Sequence, residues 1–300
     1  MIIEEIIQKY SPKLDYFDLE ILIANSLGKT REFVLMHPEY KIQKSQISNL
    51  KSQINRRIAK EPIAYILGHK EFYGLDFIVN KYTLVPRPET ELMVELALAE
   101  ISNLKSQISN LSVIDIGTGS GCIIISIAKN LDSHFHGYDK IKYYTVDISK
   151  EALKIAEKNA KIHGASKKIK FLHGSLLEPF IEKCKLSPPT GGENSTMIIL
   201  ANLPYLSKEI YQSAPIDVKK FEPKSALYSP EAGLKHYRKL LEELKLINNK
   251  LYKIHTTCFF EISPEQKLPI TKLIKTIFPK AKISFTKDLA GKWRICGIEF

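Results

Sequence analysis

The chain of 300 residues is poor in arginine, cysteine and tryptophan: 6 of its 44 basic residues are Arg, and it holds 4 Cys and 1 Trp. Arg is the side chain suited to bidentate contacts with phosphate and guanine. The formal charge of +11 is carried mainly by Lys scattered along the whole chain. That pattern implies solubility and weak attraction to an acidic partner rather than a nucleic-acid groove. Cys122, Cys184, Cys258 and Cys296 form no C-x-x-C pair, which excludes a disulfide framework or a cysteine zinc site and fits a reducing cytoplasm. The eight His show no metal-ligand spacing. No apolar run approaches the roughly 18 residues of a membrane span, and Glu4 and Glu5 break the one near the start. What remains, 44% hydrophobic and 26% charged, is a globular composition with chain enough for a large domain and a smaller one.

Residues 1–75 read as a small helical domain: Ile2, Ile3, Ile6, Ile7 and Tyr10 keep a helix period, as do Leu19, Leu22 and Ile23 before Gly28. Residues 76–85 change to short extended segments around Asn80-Lys81, which predicts a hairpin linker. The second domain, 86–300, alternates strand and helix from about residue 112. Short apolar strands are expected at 112–116, 143–147, 169–172, 197–201 and 258–262, with a helix over 151–163. Such alternation predicts an α/β fold with a mostly parallel sheet covered on both faces. Residues 282–285 and 293–300, separated by a short connection, read as a terminal antiparallel pair. A unit Lys-Ser-Gln-Ile-Ser-Asn-Leu at 44–50 recurs within 101–111 with a/d spacing. A zipped helix pair is one reading, and a duplicated insert extending two helices or loops is the better one, since two heptads are too few for a coiled coil. Residues 187–196, rich in Pro, Gly, Ser and Thr, read as a loop.

Two segments carry chemistry. In the first, a strand runs into Gly117-Thr118-Gly119-Ser120-Gly121 and then a helix. Glycines there let the backbone turn tightly and lie against a ligand. Cys122 stands where a dinucleotide fingerprint needs its third glycine, so a ligand without a pyrophosphate is favoured. Asp147, ending the next strand, can accept bonds from both hydroxyls of a ribose, and together these describe a nucleoside pocket at the carboxyl ends of two strands. A plain strand-helix turn, with Asp147 or Ser149 as a helix cap, is the alternative. In the second segment an apolar strand ends in Asn202-Leu203-Pro204-Tyr205. The amide oxygen of Asn202 and the carbonyl of Leu203 can accept the two protons of a planar NH2 group, with Tyr205 over its face, an arrangement suited to holding a conjugated nitrogen. Ser263-Pro-Glu-Gln266 reads as a capping box, and Trp293 as a core residue.

With these motifs, the chain resembles the peptide chain release factor N5-glutamine methyltransferases of the PrmC/HemK type. Matching segments include 57–68, 70–74, 85–91, 115–122, 202–205, 221–227, 261–266 and 288–292. The resemblance implies a class I S-adenosylmethionine-dependent methyltransferase domain, doubly wound with a seven-strand sheet, acting on the Gln of the Gly-Gly-Gln loop in class 1 release factors. It implies that Gly117, Thr118, Gly119, Ser120, Gly121, Asp147, Leu176 and Asn202 line the cofactor. It also implies that Asn202, Leu203, Pro204 and Tyr205 hold the substrate glutamine, with Asn202 and Tyr205 catalytic, and that residues 86–91, with Arg87, border the active site. A cytoplasmic monomer is expected, with neither a metal nor a membrane as partner and without direct nucleic-acid binding.

The chain departs from that family at two positions. Leu203 replaces the first Pro of Asn-Pro-Pro-Tyr, giving the form seen in rRNA adenine dimethyltransferases, and Ser175 stands after Gly174 where the family often has an acid. The first keeps an adenine-N6 methyltransferase in play as the main alternative. The second implies weaker hydrogen bonding to the cofactor. A nicotinamide oxidoreductase is disfavoured by Cys122, and a silent cofactor-binding protein would require Leu203 and Ser175 to cripple the site.

Overall fold

The computed structural model describes residues 1–104, 111–134, 140–183, 196–250 and 254–300. Two compact units divide it: Met1–Lys70 with Pro215–Phe221, and Glu71–Ala214 with Glu222–Phe300.

The first unit holds helices α1 (Ile3–Tyr10), α2 (Tyr16–Leu27), α3 (Arg31–Met36), α4 (Lys44–Ile58) and α5 (Ile63–Leu67). Asp15 caps α2 by accepting from the Phe17 N–H at 2.8 Å, and Gly28 closes it in the left-handed region. Its core comprises Ile3, Ile6, Leu19, Leu22, Ile23, Leu50 and Ile54. The first copy of the repeated unit thus opens α4, with Leu50 on the buried face. The second copy is no continuous helix, because α6 (below) ends at Asn103 and Leu111 already lies in a strand, while residues 105–110 fall outside the described ones.

Strands β1 (His69–Phe72) and β2 (Leu75–Ile78) pair across Tyr73-Gly74. Both turn residues have positive φ, 52° and 72°, which matches the twist of a two-residue hairpin. The hairpin therefore begins before the expected 76–85 segment and overlaps only its first residues, 76–78. Asn80 does form a turn, its side chain accepting from the Tyr82 N–H at 3.0 Å, but no strand follows it.

The second unit continues with α6 (Glu91–Asn103), β3 (Leu111–Ile116), α7 (Cys122–His134), β4 (Lys142–Asp147), α8 (Lys150–Ile162), β5 (Ile169–His173), α9 (Glu178–Lys183), β6 (Thr196–Ala201) and α10 (Lys208–Ser213). Helix α11 (Ile216–Phe221) groups with the first unit. The second resumes through α12 (Lys235–Lys250), β7 (His255–Glu261), α13 (Lys267–Ile277), β8 (Lys282–Lys287) and β9 (Trp293–Glu299). The loop expected at 187–196 lies outside the described residues apart from Thr196.

Seven strands form one sheet in the order β5-β4-β3-β6-β7-β9-β8. Strands β3 to β7 are parallel, and β9 runs antiparallel to both neighbours. The strand period sorts side chains between two cores: Met197, Ile199 and Ala201 join one, Ile198 and Leu200 the other. The chain leaves β3 towards β4 and β5, then returns to place β6 on the opposite side of β3. This reversal opens a crevice beyond the carboxyl ends of β3 and β6, the place where open α/β sheets take ligands.

Candidate active site

Both chemistry-bearing segments end at that crevice. The Gly117 and Thr118 N–H groups donate to the Val146 carbonyl at 2.8 and 3.1 Å, which folds the glycine turn against β4. Asp147 fixes the turn from the end of β4: its carboxylate accepts from the Gly119 N–H at 2.9 Å and the Ser149 N–H at 2.8 Å. Ser149 caps α8, its hydroxyl accepting from the Ala152 N–H at 3.1 Å, so Asp147 is not the helix cap. Each Asp147 oxygen retains accepting capacity, and the residue lines the cavity. Burial pushes its carboxyl up, against the lowering effect of the two N–H bonds.

Asp115, at the end of β3, is fully buried, and burial holds its carboxyl up at about 7. The Thr118 hydroxyl donates to one oxygen at 2.6 Å, while the other has no partner among the described residues. Leu176 lines the same cavity with φ of 49°, a conformation uncommon for a branched side chain. Ile148 also lines it and is 69% exposed. An apolar side chain bared on a cavity wall beside a carboxylate fits one face of a planar ring over an adjoining sugar.

Asn202 emerges from β6. Its NH2 group donates to Glu261 Oε2 at 3.0 Å and to Thr90 Oγ1 at 3.2 Å, which identifies the nitrogen and leaves Oδ1 as the amide's acceptor. The Thr90 hydroxyl donates to the same Glu261 oxygen at 2.6 Å, and the Tyr205 hydroxyl to Oε1 at 3.1 Å. Burial and the Glu261 charge raise the Tyr205 phenol, so it stays protonated. Burial raises Glu261 too, opposed by the Thr90 bond and the Arg294 charge. Leu203 and Tyr237 are buried in one cluster, and the Tyr237 hydroxyl donates to the Glu261 carbonyl.

The cavity brings together Gly117, Thr118, Gly119, Ser120, Asp147, Leu176, Asn202, Leu203 and Pro204 of the expected residues. Gly121 and Tyr205 are not on its wall. Gly121 lies behind the turn, where an added Cβ would stand 2.8 Å from Ile125 Cδ1. The Tyr205 hydroxyl is turned inward to Glu261. Arg87 and Ser175 do line the cavity. Arg87 donates to Glu222 Oε1 at 2.5 Å, and the Ser175 hydroxyl accepts from Lys239 at 3.2 Å. Sequence reasoning missed Ile148, Thr90 as a hydrogen-bonding partner, and Glu261 as the acceptor that gathers Thr90, Asn202 and Tyr205. Glu261 stands in one of the resembling segments, the only signal that marked it. Gln266 does more than cap: its side-chain oxygen accepts from the Ser263 N–H, but its nitrogen donates to the carbonyls of Tyr205 at 3.0 Å and Ala232 at 3.1 Å, and the Ser263 hydroxyl has no partner among the described residues.

A family model described as the PrmC N-terminal domain matches residues 8–68, and one described as N-6 DNA Methylase matches 81–245. The release factor glutamine methyltransferase of Bacillus anthracis is 35% identical over 277 residues, 92% of this chain and 89% of that protein. Its counterpart in Bacillus subtilis is 34% identical over 281 residues, 93% and 90% of the two chains. Among solved structures, the N-terminal domain of human METTL16 in complex with SAH superposes with a TM-score of 0.50 at 16% identity, covering 83% of this chain and 82% of that one. That likeness shows a shared methyltransferase fold.

Proposed function

The chain belongs to the release factor glutamine methyltransferase family, and from that premise we propose that it transfers a methyl group from S-adenosylmethionine to the side-chain amide nitrogen of the glutamine in the Gly-Gly-Gln loop of class 1 release factors. The observation that carries the reading is the orientation of Asn202, a residue of the cavity wall: its amide nitrogen is engaged by Glu261 and Thr90, which leaves its oxygen as the group to offer a ligand.

The cavity's own groups fit the cofactor. Asp147 has spare acceptor capacity for ribose hydroxyls, Ile148 offers an apolar face to the adenine, and the glycine turn presents backbone without side chains. When bound, S-adenosylmethionine supplies an electrophilic methyl group. The protein's residues then have a positioning task. Asn202 Oδ1 and the Leu203 carbonyl accept the two protons of the substrate amide, and so set its plane and aim its nitrogen. Holding those protons favours the charge distribution in which the nitrogen is a better nucleophile. No strong base is required, because the amide becomes acidic as it is methylated and the proton passes to water. In this reading the N-terminal unit, matched by the PrmC N-terminal domain, recognises the release factor, and the enzyme works as a monomer in the cytoplasm.

The test incubates the protein with methyl-labelled S-adenosylmethionine and, separately, a class 1 release factor, the same factor with its Gly-Gly-Gln glutamine changed to alanine, ribosomal RNA and DNA. Label is expected in the unaltered release factor alone. Label in an adenine of RNA or DNA, with none in the release factor, overturns the reading in favour of the chemistry named by the N-6 DNA Methylase match.

A further inference from the structure

Glu261 closes β7, the strand beside β6, and is 1% exposed. A carboxylate in that place must be held by good donors or it destabilises the fold. Among the described residues its partners are two hydroxyls and an amide rather than a directly paired cation: Thr90 at 2.6 Å, Asn202 at 3.0 Å and Tyr205 at 3.1 Å. Two of these three come from the Asn202–Tyr205 segment, and Thr90, also on the cavity wall, comes from the start of the helix that follows Pro88.

The arrangement has a direction. Thr90 gives its only proton to Glu261 Oε2, so towards Asn202 its oxygen can act only as an acceptor. Glu261, as a carboxylate, can also only accept. Asn202 therefore faces two acceptors and must turn its NH2 group to them. The flipped amide, with Oδ1 towards Glu261 and Thr90, would set oxygen against oxygen twice and present NH2 to the cavity. A flipped Asn202 would meet a substrate NH2 group with another NH2 group and could not bind it.

We propose that Glu261 is a positioning residue that fixes the flip of the Asn202 amide, with Thr90 as its relay, so that an acceptor faces the substrate nitrogen. This rests on the reading that Asn202 orients the methylated amide. It does not require Glu261 to touch substrate or cofactor.

Glu261→Met keeps the side chain's approximate volume and removes both acceptors. Turnover at saturating release factor is expected to fall at least tenfold, with the dissociation constant for S-adenosylhomocysteine within threefold of the natural protein. Glu261→Gln, which can still turn one oxygen to Thr90 and Asn202, is expected to regain most of that loss. In an Asn202→Ala background, Glu261→Met should cost less than a further twofold, because its effect passes through the amide already removed. Losses that multiply, or Glu261→Met turnover within twofold of the natural protein, overturn the proposal.

Should Glu261→Met fail to fold, Thr90→Val tests the relay in the same assay, with the same turnover loss expected and unchanged turnover counting against it. A second measurement stands apart from activity. The Asn202 side-chain NH2 signals, identified in nitrogen-15 spectra by their disappearance in Asn202→Asp, should exchange with solvent far more slowly than an exposed amide. Rapid exchange overturns the proposal. Slow exchange in a protein that methylates no release factor would instead retain the positioning role and reject the substrate.

Discussion

A Cβ placed on Gly117 would stand 3.1 Å from Leu203 Cδ2, so the turn after β3 and the Asn202–Tyr205 segment after β6 are in packing contact across the point where strand order reverses. Leu203 is buried there, in the cluster that includes Ile116 and Ala201. The two halves of the site thus share one wall. A change in either segment is felt by the other, and the predictions below separate the cofactor half from the substrate half.

Asp147 belongs to the half proposed for the cofactor. It accepts from the Gly119 and Ser149 N–H groups and faces the cavity. Asp147→Ala removes the acceptor proposed for the ribose and the bond that holds the Gly119 N–H. Hydrogen bonds to a charged group contribute about 1.5–3 kcal/mol, so affinity for S-adenosylhomocysteine is expected to fall by roughly 10–150-fold. Calorimetry reads this directly, and unchanged affinity would move the ribose contact to another residue.

Asn202 belongs to the half proposed for the substrate. Asn202→Ala should leave cofactor affinity within roughly tenfold, about 1.4 kcal/mol, while methyl transfer collapses. A variant with near-normal turnover would remove Asn202 from the mechanism. The comparison with Asp147→Ala is informative because the two residues line one cavity yet should fail in opposite assays.

Much of this was legible before the fold was known. The glycine turn and Asp147 were readable because strand periodicity ends at each of them, which locates both at one edge of a parallel sheet. The Glu261–Asn202 bond was not, because the partners lie on separate strands and only the sheet order makes them neighbours. Arg87 and Glu222, paired at 2.5 Å, escaped because both lie outside the regular elements and 135 residues apart in the sequence. The hairpin was misplaced because its turn uses Tyr73-Gly74, with positive φ at a tyrosine, whereas Asn80-Lys81 carries the commoner turn residues. Gln266 was read correctly for its oxygen and missed for its nitrogen, since capping is local and its bond to the Tyr205 carbonyl is not.

Asp115 predicts a pH dependence of stability. Burial holds its carboxyl at about 7, above its value of roughly 3.9 in an unfolded chain. Between those values the folded protein keeps a proton that the unfolded chain has released. The stability this provides is complete below about pH 4 and is lost as pH rises through about 7. Asp115→Asn keeps the shape and removes the titration. Relative to the natural protein, it should gain stability as pH is raised from about 5 to about 8. Urea midpoints of both proteins across that range check this, and a constant difference would show that Asp115 does not titrate there.

Gly121 has φ of 82°, and an added Cβ would lie 2.8 Å from Ile125 Cδ1 and 3.2 Å from Ala156 Cβ. Gly121→Ala therefore combines a left-handed backbone with overpacking against α7 and α8, and is expected to cost about 1–3 kcal/mol of stability. Denaturant unfolding measures it. A neutral result would mean that α8 can withdraw from the turn without cost.

Leu203→Pro tests the residue at which this chain leaves its family's motif. One feature of the site makes the exchange costly for stability. The Leu203 side chain is buried against the Gly117 turn. Proline fills less of that space, so a loss of roughly 1–3 kcal/mol is expected. Leu203→Ala separates that packing loss from the effect of proline on the backbone. Activity should behave differently from stability. The contact proposed for the substrate uses the carbonyl of residue 203, which proline retains, so well below the unfolding temperature the Pro variant should methylate the release factor within about threefold of the natural protein, a shift of less than 1 kcal/mol. Neither form should label ribosomal RNA. If the natural protein labels an RNA adenine and Leu203→Pro abolishes that activity, then Leu203 marks an adenine site, and the glutamine assignment falls with it.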